Sequence, residues 1–535
     1  MSEAATATDL GSRLLDNAKR LDGQPALIHH DKITSFSELG RDVELLAHGF
    51  LRAGLKKNDR VAVLIPPSRD FFATAFALFR AGVTPVLVDP GIGFSNMGRC
   101  LAEAAPDAFV GSAKAHIARA AGGWAPTARL KVTAGGPSLG LPTLETMREL
   151  GGKRTLDLPP VPPDGRAAIL FTSGSTGAPK GAVYEHSMFS AQVDQLREMF
   201  DIKEGEVSLA TFPLFGLFDV ALGQTVVIPN MDFTRPGMVD PMAVIVPVQQ
   251  YRIHQLFGSP ALLDRVGRFG ARHGIALPTL KRVMSAGAPV PARTLALFSK
   301  MLNKDVPIYT PYGATEALPV ALTSSFEILG ETAARTLRGE GVCVGRPVKG
   351  IEAAVIRISD EPIRTWSEDL RVPRGAVGEI AVKGPVVTGE YFRRVEDMAK
   401  AKIGDGKTFW HRMGDLGYYD ELGRLWFCGR KAHRVRTERG EHYTICVEGV
   451  FNAHPKVKRS ALVGVGLNPV LCVELEPGNA PSDALKNEIL NLPGRPEFTR
   501  DIKDVLFHTA FPVDTRHNAK INREALAAWA LKELA

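Results

Sequence analysis

Apolar positions along the first 165 residues switch between two periods. Leu39, Val43, Leu46 and Phe50 recur at helical spacing, with Ser37 as an N-terminal cap and Gly54 as a stop. The run from Val61 to Ile65 is unbroken and of strand length; Phe71 to Ala81 then reads as a helix and Pro85 to Val88 as the next strand, closed by Asp89-Pro90-Gly91. Such alternation predicts βαβ units around a largely parallel sheet. Further on, strands are predicted at 167–170 and 255–257, helices over 188–199 and from Ala261, and an aromatic-rich turn over 211–219. Two more strands, starting at Val283 and Ile308, run into small-residue turns. Between residues 340 and 395 glycines and short alternating runs (Glu352 to Ile358, Gly378 to Val382) replace helices, which predicts a β-rich subdomain of distorted-barrel type. The tail reads as α+β, with strands near 461–465 and 470–474 and a last helix over Arg523–Leu534.

At 535 residues the chain exceeds one ordinary core, so two or more domains are expected. A composition of 45% hydrophobic and 23% charged residues is globular, and a net charge of +7 suits handling of polyanions as well as simple solubility. No Lys/Arg block carries interleaved aromatics, so nucleic acid is not an expected partner. Cys100, Cys343, Cys428, Cys446 and Cys472 are odd in number and never spaced as CxxC, which argues for a reducing compartment and against structural zinc. The N-terminus has neither a basic start nor an apolar core of signal type, and no apolar run approaches eighteen residues. The expectation is a cytoplasmic enzyme without a membrane span.

The stretch Phe171 to Gly181, FTSGSTGAPKG, follows one strand pattern and precedes another. Thr172, Ser173, Gly174, Ser175, Thr176 and Gly177 combine hydroxyls with small residues that let backbone N–H groups approach an anion, and Lys180 adds a mobile positive charge. A phosphate-binding loop is the reading that fits. It is not the common P-loop, because Pro179 separates the glycines from Lys180 and Gly181 stands where a hydroxyl is needed. Gly136-Pro137-Ser138-Leu139-Gly140 matches the GxSxG nucleophile elbow, but Gly135 before it and Pro142 after it predict a plain loop and a chance match.

Four other stretches carry chemistry: Gly287-Ala288-Pro289, Tyr309-Thr310-Pro311-Tyr312-Gly313-Ala314-Thr315-Glu316, Gly414-Asp415-Leu416-Gly417 and Gly429-Arg430. With the phosphate loop they resemble the signatures of the adenylate-forming superfamily of acyl-CoA synthetases, luciferases and peptide-synthetase adenylation domains. The resemblance implies an α/β fold in which a large N-terminal domain, residues 1–428, holds stacked βαβ subdomains and the distorted barrel. A small mobile α+β domain, residues 429–535, closes over it. It further implies that the 287–289 turn and Tyr312 flank adenine, with Gly313 and Ala314 close by, and that Thr315 bonds the α-phosphate. Glu316 would hold Mg²⁺, a hard ion that prefers oxygen. Asp415 would accept from both ribose hydroxyls with Arg430 beside it. Lys520, in the loop 512–523, would swing over the reacting groups, and Phe215, Gly216, Phe218 and Asp219 would line the acyl pocket, Gly216 leaving room for a bulky acyl group. ATP and Mg²⁺ are the cofactors implied.

The second step is set by the acceptor. In CoA ligases of this superfamily the hinge residue two places after the Gly-Arg is usually Asp or Lys, whereas Ala432 stands here, and the glycine of the following loop (Gly440) is displaced by one. Together PVDTRHNAKINRE (512–524), GRKAHRVRT (429–437), TFPLFGLFD (211–219) and LVDPGI (87–92) resemble the olefin β-lactone synthetases of bacterial long-chain olefin biosynthesis. That resemblance implies adenylation of a long-chain 2-alkyl-3-hydroxy fatty acid, then attack by its own 3-hydroxyl, and association with other olefin-pathway enzymes. His517 is a candidate base for that hydroxyl and equally a surface histidine. A fatty-acyl-CoA or acyl-AMP ligase and a non-catalytic nucleotide-binding module remain alternatives; joint retention of Lys180, Glu316, Asp415, Arg430 and Lys520 argues against the last.

Overall fold

The computed structural model describes residues 9–153, 158, 160–171, 179–513 and 520–535, and two large sheets run through it. The smaller has seven strands in the order Glu390–Tyr391, Gly181–Glu185, Arg166–Phe171, Thr84–Val88, Arg60–Leu64, Ala108–Gly111, Leu130–Thr133. Its inner strands pair in parallel, with Val61 opposite both Pro85 and Ala108 and Leu87 opposite Leu170. Helical crossovers bring the chain back to the same end each time, as the alternating pattern predicts. Successive strand residues face opposite sides. Val61, Val63 and Leu87 join one core with helices Leu10–Leu21, Phe36–Arg52 and Arg69–Arg80, while Ala62, Val86 and Val88 pack against Met97, Leu101 and Trp124. Every residue from Phe71 to Phe79 is buried, as an all-round apolar helix must be.

The cap of Phe36–Arg52 is Ser35 rather than Ser37. Ser35 Oγ accepts from Glu38 N–H at 3.1 Å and Glu38 Oε2 accepts from Ser35 N–H at 2.8 Å, a reciprocal capping box. Strand Lys32–Ser35 runs straight into the helix, so Phe36 is already helical and buried. The segment 211–219 also differs from expectation: Pro213–Ala221 is a helix, not a turn. Pro213 sits at its first turn, where a missing N–H costs nothing, and Leu217, Phe218, Val220 and Ala221 are buried.

The larger sheet has fourteen strands. Pro25–His29, Thr225–Ile228, Val207–Ala210, Gln255–Phe257, Arg282–Met284 and Ile308–Ala314 pair in parallel in that order. The strand Ile308–Ala314 does not stop at Tyr312; it turns at Thr315-Glu316 into the antiparallel strand Ala317–Ser324. Gly313 permits this turn, since a Cβ there would lie 2.4 Å from the Ala317 carbonyl oxygen. Pairing then continues antiparallel through Val342–Pro347, Leu425–Arg430, Thr408–Tyr419, Gly378–Lys383 and Glu352–Ile356, the β-rich region expected after residue 340. Among the described residues its strand order is an open path continuous with the parallel part.

Within this region Glu379, with a side chain 1% exposed, accepts from Arg412 Nε at 3.1 Å and Nη2 at 2.6 Å, and from Lys431 Nζ at 3.1 Å. The tail builds its own sheet, Val457–Val465, Asn468–Leu475 and Asp504–Phe507. Val447, Phe451, Leu462, Leu471 and Ile489 form a core on one of its faces, and Ala461, Val470, Phe511, Leu526 and Ala530 on the other. The last helix spans Arg523–Leu534 as the sequence predicts. Arg293 bonds from the larger sheet's flank to Glu476 in the tail, and to the Lys458 carbonyl at 3.5 Å. Residues 136–140 are loop, with Gly136, Leu139 and Gly140 at positive φ, so no nucleophile elbow exists there.

Candidate active site

A cleft of ≈1450 Å³ opens over the carboxyl ends of the parallel strands of both sheets, the place where open α/β sheets bind ligands. The strand-end turn Gly287-Ala288-Pro289, the hairpin residues Tyr312 to Glu316, and Asp415, Arg430 and Lys520 all line it. Phe215 and Phe218 line an apolar part. Tyr312 Oη donates to Asp415 Oδ2 at 2.7 Å, and Arg430 Nη1 donates to Asp415 Oδ1 at 2.7 Å and to the Met413 carbonyl at 3.1 Å. Asp415 faces Arg430 directly across their paired strands. The Asp415 charge raises the Arg430 pKa, and burial pushes the Tyr312 phenol well up, with Asp415 adding to it. The Asp415 side chain is therefore held on a strand ladder between two donors.

Glu316 sits at the hairpin tip, half-buried, and its Oε1 accepts from Tyr391 Oη at 2.7 Å. Tyr391 is delivered by pairing opposite Ala182 in the smaller sheet. Lys180 Nζ lies 2.7 Å from Asp397 Oδ1 and 5.3 Å from the centre of the Tyr391 ring. Lys402 Nζ lies 5.9 Å from the centre of the same ring, and burial draws its ammonium down to about 7, while the Glu316 charge pulls the other way. Tyr184 Oη donates to the Thr315 carbonyl and so ties the hairpin tip to the smaller sheet.

A family model described as AMP-binding enzyme matches residues 14–392. The chain belongs to the AMP-binding enzyme family. It is 46% identical over 515 residues to an olefin beta-lactone synthetase of Stenotrophomonas maltophilia, covering 94% of this chain and 92% of that one. It is also 46% identical over 523 residues to an olefin beta-lactone synthetase of Xanthomonas campestris pv. campestris, covering 96% and 93%. A feruloyl-CoA synthase of Amycolatopsis sp. is 28% identical over 462 residues, 85% of each chain. Among solved structures, the amide bond synthetase McbA of Marinactinospora thermotolerans superimposes with a TM-score of 0.80 at 24% identity, covering 97% of this chain and 99% of that one. ATP-bound MatB of Rhodopseudomonas palustris gives 0.79 at 21% identity, covering 99% and 100%. These two establish the fold, a mixed α/β architecture with a large N-terminal part.

AMP-binding enzymes use ATP, and this cleft offers chemistry to match: a carboxylate between two donors, a second carboxylate at a hairpin tip, and Lys520 in the same lining. Among the described residues no group of three or more His, Cys, Asp or Glu is arranged to hold a metal. One carboxylate, Glu316, fits Mg²⁺ shared with a triphosphate, since this ion is usually bound by one or two carboxylates and substrate phosphates. Thr172, Ser173, Gly174, Ser175, Thr176, Gly177 and His517 lie outside the described residues. Tyr391, Tyr184, Lys402 and Asp397 escape the sequence reading, because only the pairing of distant strands brings them to Glu316 and Lys180. The one available signal is Gly389-Glu390-Tyr391-Phe392, an aromatic pair after a glycine, which by itself reads as packing.

Two expected pocket residues stand elsewhere. Gly216 and Asp219 are not among the described residues lining the cleft. A Cβ on Gly216 would meet the Phe72 ring at 2.9 Å, so its small size serves helix packing in this AMP-binding fold. Asp219 is buried beneath the helix, accepting from Ser208 Oγ at 2.7 Å and Gln255 Nε2 at 3.0 Å. Burial pushes its carboxyl up to about 7, against these two hydrogen bonds. The folded state thus holds a proton that the unfolded chain releases near pH ~4. Its stability contribution is complete below that pH and is lost as pH rises to about 7. We expect the denaturation midpoint of wild type to fall relative to that of Asp219→Asn between those pH values and to level off above them. Parallel pH profiles of the two proteins would exclude this.

Proposed function

We propose that this chain adenylates a long-chain 2-alkyl-3-hydroxy fatty acid with ATP and then closes it to a β-lactone, releasing pyrophosphate and AMP. One observation carries the reading: 46% identity, nearly end to end, to two olefin beta-lactone synthetases. The cleft supports it by joining polar groups suited to a nucleotide with an apolar wall suited to alkyl chains. In the first step a carboxylate oxygen bonds to the α-phosphorus and the bond to pyrophosphate breaks. Two anions meet there, and at ~4 Å with an effective dielectric near 20 their repulsion is about 4 kcal/mol, roughly a thousandfold in rate. Lys520 offsets it from the tail, and Lys180 serves the outer phosphates. Mg²⁺ on Glu316 would supply further positive charge to the phosphates. Asp415, oriented by Tyr312 and Arg430, holds the ribose hydroxyls; the 287–289 turn and Tyr312 flank the base, with Gly313 and Ala314 beside it, and Thr315 bonds the α-phosphate.

In the second step the 3-hydroxyl oxygen bonds to the acyl carbon, AMP departs, and the hydroxyl proton passes to a base. The nucleophile is tethered, so its effective concentration is high and no thiol need be recruited. Residues 1–428 form the nucleotide- and acyl-binding body and 429–535 a lid that carries Lys520. Its own two cores in the tail support that division. No helix among the described residues is long and apolar enough to cross a membrane. We place the enzyme in the cytoplasm, on the strength of its scattered cysteines, in company with other enzymes of olefin formation. Incubation with ATP, Mg²⁺ and a 2-alkyl-3-hydroxy acid should give AMP and a lactone without CoA. A thioester formed only when CoA is added would assign the chain to the acyl-CoA ligases instead.

A further inference from the structure

The cleft wraps over the end of the seven-stranded sheet and has walls on both of its faces. Three adjacent strands end in the pairs Val63-Leu64, Leu87-Val88 and Leu170-Phe171, and all of these residues line the cleft. In each pair the first residue belongs to the core on one face and the second to the core on the other. On the first face the wall continues through Phe71 and Phe218, beside helix Pro213–Ala221. On the second it continues through Met97, Ala118 and Trp124, contributed by helices Phe94–Ala104 and Ala113–Gly122 and the segment after them. An unbranched acid has one chain to bury. An acid alkylated at carbon 2 has two, diverging one bond from the carboxyl carbon, and needs an apolar channel for each.

We propose that the second-face arm, bounded by Val88, Met97, Ala118 and Trp124, binds the alkyl branch at carbon 2, leaving the first-face arm to the chain that bears the hydroxyl. This rests on the β-lactone reading above. The sheet edge then parts the two chains, so that the carboxylate between them points along the strand ends toward the polar half of the cleft. Ala118 is the position to test, because it lines the arm from helix Ala113–Gly122 with only a methyl group.

The experiment measures kcat/KM for AMP release with two 3-hydroxy acids of equal main chain, one with a 2-decyl and one with a 2-methyl branch. For Ala118→Trp the decyl/methyl ratio is expected to fall roughly tenfold or more relative to wild type, and for Ala118→Leu by a smaller factor, as pocket filling by a few carbons does. Because the readout is a ratio within one protein, partial misfolding cancels. If the ratio stays at the wild-type value in both variants, the arm does not hold the branch. If the loss depends on added CoA and not on branch length, the arm is an acceptor channel and the proposal is overturned. Wild type that releases AMP with neither acid overturns the functional reading itself, a different result from wild type that turns over both while the variants fail to discriminate.

Discussion

Lys520→Ala is expected to lower pyrophosphate–ATP exchange by roughly two to three orders of magnitude, the usual loss when one preorganised group stabilising transition-state charge is removed. ATP binding should change little, because the contacts proposed for base and ribose come from Tyr312, Asp415 and Arg430 on the strand ladders. The loop stem is fixed on both sides of the lysine: Val513 bridges Ile521, Asn522 N–H donates to the Pro512 carbonyl at 2.7 Å, and Asn522 Oδ1 caps the last helix through Ala525 N–H at 3.0 Å. Truncation at Lys520 therefore removes a charge without unravelling its support. Exchange at the wild-type rate would take the lysine out of the reaction, and loss of nucleotide binding in equal measure would make it a ground-state contact.

Glu379→Ala is expected to cost about 3–5 kcal/mol of stability, the range for breaking a buried ion pair by removing one partner. Arg412 keeps its hydrogen bonds to the Glu361 carbonyl at 2.9 Å and the Lys400 carbonyl at 3.1 Å, but its charge and that of Lys431 lose their shared counter-ion. The control is Glu368→Ala, whose partner Arg371 is surface-exposed and whose loss should leave stability almost unchanged. Urea denaturation followed by tryptophan fluorescence compares them. A Glu379→Ala midpoint shift no larger than that of Glu368→Ala would mean the cluster relaxes into water.

Much of the fold is legible because its inner strands are buried on both faces and carry unbroken apolar runs, as Val61 to Ile65 does. The parallel order follows from the helices between them. The helix at 213–221 was hidden by its composition: Pro213 and Gly216 read as turn residues until Pro213 is seen at a first turn and Gly216 against the Phe72 ring. Ser37 beside Ser35 shows the same limit, since both can cap and only the strand leading in decides. Tyr312, Glu316 and Arg430 are recognisable because their motifs sit at strand ends and Asp415 because glycines flank it within the strand Thr408–Tyr419, and the structure gathers all four in one cleft. Asp219 misleads because a carboxylate on a pocket helix looks functional until its partners, Ser208 and Gln255, are found beneath it. Tyr391 is invisible for the opposite reason, since its partner Glu316 is brought to it only through sheet pairing.

Lys431, 19% exposed at its side chain, is moored to Glu379 and to the Ser359 carbonyl at 2.7 Å, and the next residue, Ala432, carries only a methyl group. If residues 429–535 move as the lid proposed above, they would turn on a post set in the larger part of the chain, with only a methyl group at the pivot itself. A second contact between the tail and the larger sheet's flank lies farther out, at Arg293 and Glu476, whose side chains are 43% and 23% exposed. Salt in the medium screens the exposed pair and spares the buried one, so in the proposed motion added salt would loosen the outer contact and leave the post in place.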